Sequence, residues 1–352
     1  MNKIPKKWRE LPIKERLSIP EKYFKIVTKT IERIRQISDP KKRLIESARI
    51  QYESFKDIHS YLTVWIAGYG SDVMIRNYFG STKNLLEQFM SFPKINIKIK
   101  PSWADIKRKI KIPEEMTEKL AEETGIHIGD GNLYVNTNKE GFKSYNYNIS
   151  GDLTDEYLYH TEHIAKIMKY LYNIEGWFLE RVNKNSIESR YKSKAIVEFK
   201  YKIINLPVGP KKNIEIPKDI LSNNEYMKKC IVGIIYTDFS ITSSLAISGK
   251  INNLLVTKEI HKFFNKNKIK HIYRLYQNYS RFYINKPEAI KIITDWHLNN
   301  PKHISKYNIF LEFKKYLPYT TTPERLALLK GELEFNNLAK ISKQRSDKNR
   351  LN

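Results

Sequence analysis

The sequence predicts an α+β chain in which a helical N-terminal region precedes two halves built alike from helices and short strands. Three observations carry that expectation. Apolar residues recur at helical spacing from Ile19 to about Phe92, as in Tyr23, Ile26, Val27, Ile31 and Ile34, then Leu44, Ile45, Ala48, Tyr52 and Phe55. After Pro113 the texture changes to short alternating strands and amphipathic helices. A segment that opens on Ile112-Pro113 and closes on Gly125-x-x-x-x-Asp130 returns as Ile216-Pro217 through Gly233-x-x-x-x-Asp238.

With 352 residues the chain has length for two to three domains, at ~150 residues per domain. Its 41% hydrophobic and 12% aromatic content exclude a disordered polybasic chain. Lys plus Arg number 63 against 38 for Asp plus Glu, and the resulting +25 points to a polyanion, with nucleic acid the leading partner class. Cys230 is the only cysteine, which rules out an intramolecular disulfide and any thiolate zinc finger within the chain. The opening Met-Asn-Lys-Ile-Pro-Lys-Lys-Trp-Arg-Glu carries no apolar stretch behind it. The longest apolar run, Cys230 to Ile235, is far short of the ~20 residues that cross a bilayer. A cytoplasmic protein with no membrane partner is therefore expected.

In chain order, residues 1–110 form the expected helical N-terminal domain. Leu62 to Phe89 reads as a helix, a turn with Gly68, Gly70 and Ser71, and a second helix over Val73 to Tyr78 carrying Arg76 and Asn77. That outline fits a DNA-reading helix-turn-helix as well as an ordinary helical hairpin. Pro93 to Pro113, with alternating Ile95, Ile97 and Ile99, reads as a connector ending in a short helix over Trp103 to Lys109. Residues 336–352 are read as a basic tail, loose from Lys340 onward.

The repeated segment carries the chemistry. Each copy reads as a helix started by its Ile-Pro. Gly125 and Gly129, or Gly233 and Thr237, lie four apart on one helix face, and such small faces let two helices approach backbone to backbone. Paired helices would bring Asp130 and Asp238 together at one end of the interface. Two adjacent carboxylates repel unless a cation neutralises them, and hard oxygen donors suit Mg²⁺ or Mn²⁺. Metal-assisted phosphodiester hydrolysis is the chemistry such a site supports. An aspartate after a helix is ordinarily a solvated cap, but recurrence in matching contexts favours a shared site. A rival histidine site would draw on His127, His160 and His163, the last two sharing a helix face at i, i+3, yet no third ligand stands at zinc spacing.

These segments resemble the motif helices of LAGLIDADG homing endonucleases, specifically the single-chain archaeal type with two motifs in one polypeptide. The resemblance covers about Ile112 to Phe313. It is supported by Thr124-Gly-Ile-His-Ile-Gly-Asp-Gly-Asn-Leu-Tyr134, by Leu206-Pro-Val-Gly-Pro-Lys-Lys212 before the second Ile-Pro, and by Asn300-Pro-Lys-His303. It implies two pseudo-symmetric α-β-β-α-β-β-α halves, 111–212 and 213–335, whose strands form a DNA-binding saddle. In the first half, strands are then expected at Asn132 to Asn136, Ser144 to Ser150, Gly176 to Val182 and Ser186 to Lys192, with helices at Thr154 to Asn173 and Ser193 to Ile204. In the second, a strand near Ser243 to Ser248, a helix at Asn253 to Asn267, a hairpin across His271 to Ile284 and a helix from Pro287 to Asn299 follow.

The resemblance also implies roles. Asp130 and Asp238 would be catalytic metal ligands, with the backbone of Gly129 and Thr237 close by, and Gly125, Gly129 and Gly233 would form the helix interface. Lys250 would be the basic helper at the end of a strand in the second half. The matching strand end of the first half is Ser150-Gly151-Asp152, where Gly151 offers no side chain, so impaired catalysis is expected there. Phe239, where the family usually has Gly, threatens to tilt Asp238 or crowd the metal. Arg181, Asn183, Lys184, Arg190 and Lys192 in one hairpin, and Arg274, Gln277, Asn278 and Arg281 in the other, would contact double-stranded DNA. The implied activity is site-specific cleavage of both DNA strands with Mg²⁺ or Mn²⁺, by a monomer. The alternatives are a cleavage-deficient DNA-binding transcription regulator and a maturase acting on structured RNA. One Cys230 and no terminal splicing residues suggest a free-standing protein rather than an intein.

Overall fold

The structure, a computed structural model, describes Glu21 and residues 30–56, 73–92, 98–139, 141, 143–211, 214–242 and 244–351. Contacts divide the chain into two compact units, Met1–Lys94 and Ile95–Asn352. In the smaller unit the described elements are helices, Ile31–Arg35, Pro40–Phe55, Val73–Phe79 and Thr82–Leu86. Asp39 starts the longest by accepting from the Lys41 and Lys42 amides, with Pro40 in its first turn. Leu44, Ala48, Ile75, Phe79 and Leu85 close a small core. Arg76 and Asn77 lie on Val73–Phe79. The preceding helix and the Gly68-Gly70-Ser71 turn of the expected helix-turn-helix lie outside the described residues, as do Tyr23, Ile26 and Val27.

The larger unit begins within the expected connector. Its helix ends at Lys107 rather than Lys109, is started by a capping box between Ser102 and Asp105, and is tied down where the buried Asp105 carboxylate accepts from the Ala195 amide at 3.1 Å. Two four-stranded antiparallel sheets follow. Gly131–Thr137 (β1), Lys143–Asp152 (β2), Trp177–Arg181 (β3) and Ser186–Lys192 (β4) run in the order β1-β2-β4-β3. Phe239–Ile241 (β5), Ile247–Ile251 (β6), Ile272–Leu275 (β7) and Ser280–Ile284 (β8) repeat that order as β5-β6-β8-β7. The helices Leu254–Lys266 and Lys286–Asp295 complete the second half. A single buried core spreads from Ile99 to Leu298 and joins both halves.

Several expectations are corrected. The first motif helix, Glu118–Gly129, starts at a Thr117 cap, several residues after Ile112-Pro113. In the second copy Pro217 starts only the short helix Lys218–Leu221, and Asn223 caps the motif helix Asn224–Asp238. Hydrogen-bonding caps, rather than the prolines, set both starts. The strand expected near Ser243 is two strands, because β5 begins directly at the end of the motif helix. The stretch expected as one helix from Thr154 passes from Leu153–Leu158 through a π-helical turn, Tyr159–Ile164, into Ala165–Tyr172. The extra residue in that turn rotates the helix faces. His160 thus meets Ser189, and His163 meets Glu122, instead of forming one pair. The tail is not loose, since Phe335–Leu351 is a helix whose Ser342 hydroxyl donates to Pro318 at 2.6 Å and whose Arg345 pairs with Glu324 at 2.8 Å.

Candidate nucleic-acid cleavage site

The two motif helices meet backbone to backbone, and the glycines show how. A Cβ on Gly125 would collide with the Cys230 carbonyl, and one on Gly233 with the Glu122 carbonyl and the Ile126 amide. Counted back from the aspartates, Cys230 and Glu122 are equivalent positions, as are Gly125 and Gly233. The two contacts are therefore one contact repeated by a pseudo-twofold axis. Gly129 and Thr237 are themselves equivalent and face each other, because a Cβ on Gly129 would overlap the Thr237 hydroxyl. The axis passes between them, at the end of the helices where Asp130 and Asp238 stand.

Both carboxyls are largely withdrawn from water. Burial pushes Asp130 up to about 7, helped by the Glu156 and Asp238 charges and opposed by Lys211 and Lys302. Burial pushes Asp238 up to about 6, with Lys211 opposing. Lys211 belongs to the linker between the halves, and its ammonium donates to the carbonyls of His127 at 3.3 Å, Ile128 at 3.1 Å and Gly129. Burial draws Lys211 down, while Asp130 and Asp238 draw it back up. Glu156 accepts from the Asp152 amide at 2.8 Å and from Lys302 at 2.7 Å. Sequence reasoning missed Lys211, Glu156 and Lys302. Lys211 and Lys302 stand inside quoted segments, but Glu156 is one acid among several on a helix and carried no signal.

The donor set fits a divalent cation. Two repelling carboxylates beside backbone carbonyls are hard oxygen ligands, and a cation between them would relieve the charge that burial makes costly. Among the described residues no group of three or more His, Cys, Asp or Glu side chains is placed to hold a metal. The three histidines of the rival site each meet a different partner. His127 is fully buried against Tyr147, His160 shares a hydrogen bond of 2.7 Å with Ser189, and His163 one of 2.6 Å with Glu122.

Strand register corrects two expectations about the site's flanks. β1 and β2 pair Gly131 with Ile149, and the Ser150 amide donates to the Asp130 carbonyl. β5 and β6 pair Phe239 with Gly249, which puts Lys250 in register opposite Asp238. Ser150, not Gly151, is thus the counterpart of Lys250. The place a Gly151 side chain would take is filled by His160 and Glu156. Phe239 does not crowd the carboxylate, because it is buried on the core face and its ring occupies the room that Gly249 leaves. Where the first half has Gly131 opposite Ile149, the second has Phe239 opposite Gly249, so bulk has changed strands at one cross-strand pair.

The open faces of the sheets carry the remaining candidates. Arg190 and Lys192 project beside Asn148 and Asn146 on the first sheet, with Arg181 at its outer strand and Asn183 and Lys184 exposed in the β3–β4 turn. Lys250, Arg281 and Arg274 form one cross-strand row on the second, and Gln277 and Asn278 are exposed between β7 and β8. Lys250 lies over the Tyr279 ring, 4.4 Å from its centre. No helix of the described residues is long and apolar enough to cross a membrane.

No family model matches the sequence, and no curated protein matches it. Among solved structures, mesophilic variants of the homing endonuclease I-DmoI align with 52% of this chain and 98% of their own at 19% identity and a TM-score of 0.41. The LAGLIDADG meganuclease I-AabMI bound to uncleaved DNA aligns with 56% and 90% at 11% identity and a TM-score of 0.38. I-SmaMI bound to uncleaved DNA in the presence of calcium ions aligns with 65% and 98% at 11% identity and a TM-score of 0.36.

Proposed function

We propose that this chain is a site-specific DNA endonuclease of the LAGLIDADG homing type, hydrolysing phosphodiesters of both strands with a divalent metal. One observation carries the reading: two aspartates end a pair of glycine-packed helices on a pseudo-twofold axis, and each is followed at once by a sheet with cations on its open face. A binding protein has no use for two carboxylates held at such a crossing, since their repulsion and desolvation destabilise the fold. Asp130 and Asp238 would hold the metal, with the Gly129 and Thr237 backbone beside them. Bound there, Mg²⁺ or Mn²⁺ supplies charge stabilisation at the scissile phosphate and lowers the pKa of attacking water.

The chain's own groups do the rest. Arg190, Lys192, Arg274 and Arg281 bind phosphates and base edges, with Arg181, Asn183, Lys184, Gln277 and Asn278 at the outer strands and turns. Lys250, one residue past the Phe239–Gly249 strand pair, would hold developing negative charge there, and Ser150 stands at that register position in the first half. Cleavage of one strand faster than the other follows from that difference. The protein acts on double-stranded DNA as a monomer, because both halves are in one chain.

The test is a nicking and cleavage assay on a DNA target library with Mg²⁺, beside Asp130→Asn and Asp238→Asn. Each variant should lose cleavage by orders of magnitude while DNA affinity stays within a few-fold. Tight, target-selective binding by a wild type that never cuts would establish the regulator reading instead, and preference for structured RNA over DNA the maturase reading.

A further inference from the structure

The hairpin of β7 and β8 closes on a pair of tyrosines. Tyr276 and Tyr279 are the last cross-strand pair before the turn, joined where the Tyr276 amide donates to the Tyr279 carbonyl at 2.9 Å, and their rings stack with centres 4.5 Å apart. Residues two apart along a strand share a face, so Tyr279 stands beside Arg281 on the open face, with Lys250 its diagonal neighbour on β6. Both cations lie over the Tyr279 ring, Lys250 at 4.4 Å from its centre and Arg281 at 5.7 Å. Like charges directly across a ladder repel, and the negative face of one ring here attracts both. In the first half the same register positions hold Ser150 for Lys250, Glu188 for Arg281, Ser186 for Tyr279 and Arg181 for Tyr276. The two cations and the two rings are thus replaced together. Arg181 and Arg190 of the first sheet are held by the Glu188 carboxylate instead. A carboxylate holds a cation by neutralising it, whereas an aromatic face holds a cation and leaves its charge available to a phosphate.

We infer that Tyr279, stacked on Tyr276, is a positioning residue that seats Lys250 and Arg281 side by side as one two-cation site for a DNA phosphate. The inference rests on the reading of Lys250 and Arg281 as groups that face DNA. Two long side chains lose rotamer freedom when they converge on one ligand, and the ring imposes much of that ordering before the phosphate arrives. The seat belongs to the second half alone of the two register-matched sites, because Ser186 offers no ring at the matching place.

Two measurements on the full chain test it, and neither needs cleavage or a known target. In the first, the lysines of the DNA-free protein are dimethylated with isotope-labelled formaldehyde, which keeps their charge, and the Lys250 methyl resonance is identified by its loss in Lys250→Arg. The ring face should shift it upfield of the solvent-exposed lysines. Tyr279→Leu should return it to their position, and Tyr279→Phe, which keeps the ring, should leave it shifted. A resonance that does not move in Tyr279→Leu overturns the seat. In the second, binding to a mixed-sequence duplex is measured at fixed salt. Tyr279→Leu should weaken it about fivefold in the wild-type background, the size of one cation–aromatic contact, and much less beside Lys250→Met with Arg281→Met. Tyr279→Phe should recover most of that loss. Equal losses in both backgrounds mean a damaged hairpin and overturn the seat, and tighter binding by Tyr279→Leu means that the ring draws the cations away from DNA and overturns it too. The methyl shift in a wild type that binds no duplex would overturn the DNA reading itself. Both expected results in a wild type that cuts no target would overturn the cleavage reading and leave the phosphate seat to a binding protein.

Discussion

The two halves share a topology and a register, yet they are filled and faced differently. Beneath the first sheet the core holds a buried polar cluster. Glu123 is fully buried, pairs with the buried Lys200 at 2.6 Å and accepts from the Tyr147 and Tyr172 hydroxyls at 2.6 and 3.2 Å. The equivalent position in the second motif helix is Ile231, buried in an apolar core with Phe264 and Phe282. The open faces differ in the opposite sense. On the first, Glu188 sits across from Ser150 and Leu179, accepts from Arg190 at 2.7 Å and Arg181 at 3.3 Å, and contacts Asn148. In the second sheet that position is Arg281, flanked by Lys250 and Arg274. A duplicated scaffold thus tolerates exchange of a buried polar cluster for an apolar one and of a carboxylate for an arginine on its open face, while the helix crossing and the aspartate at its end are kept.

The crossing is where the halves should respond alike, and it gives the largest effect. Gly125→Ala and Gly233→Ala each drive a Cβ into backbone, which no rotamer change relieves, so each should cost about 3 kcal/mol or more. Urea unfolding of the two variants is the measurement. Costs that differ by more than about 1 kcal/mol would mean that the axis is not the organising feature, and unchanged midpoints would mean that these glycines do not touch the opposite helix.

His160 should give the first half a pH dependence of its own. Burial pulls its imidazole down to about 4, so the fold holds it neutral. Between that value and the ordinary 6.5 the unfolded chain binds the extra proton, and the stability this group contributes is present above pH 6.5 and lost as pH falls toward 4. The difference in unfolding free energy between the wild type and His160→Asn should therefore shrink by at most about 3 kcal/mol across that window. A difference independent of pH would show that the folded chain protonates His160 as readily as the unfolded one. Where His160 meets Ser189 in the first half, the second has Phe282 at the matching strand position, packed edge to face against Phe264.

What sequence made legible follows the same division. The strands β2, β4 and β8 declare themselves by alternation, and the glycines and aspartates by repetition, because both are local patterns of side-chain chemistry. Register is not local. Ser150 and Gly151 are adjacent in the chain, and only the pairing with β1 tells which one stands opposite the aspartate. Phe239 looked obstructive because its accommodation depends on Gly249, a residue on another strand. Lys211 was invisible as a site residue since its role depends on the linker folding back to a helix end far away in sequence. The C-terminal helix looked like tail because its stabilising contacts, Arg345 with Glu324 and Ser342 with Pro318, are made to other segments.

The smallest effect is the one that separates the open faces. Each arginine that neutralises a phosphate contributes about −0.9 to the slope of log affinity against log salt. Arg281 stands between Lys250 and Arg274 with like charges as its cross-strand neighbours, an arrangement that a polyanion would relieve. Arg190 already has a carboxylate partner in Glu188. Arg281→Ala should then flatten the slope by about one and weaken binding to every sequence, whereas Arg190→Ala should change it by less, since an arginine already held on Glu188 neutralises less phosphate charge. Glu188→Gln sharpens the contrast. It releases Arg181 and Arg190 for phosphate and should steepen the slope by up to about one for each arginine freed. If Arg190→Ala and Arg281→Ala flatten the slope equally and Glu188→Gln leaves it unchanged, the pairing on the first sheet does not restrain its arginines, and the two faces meet DNA in the same way.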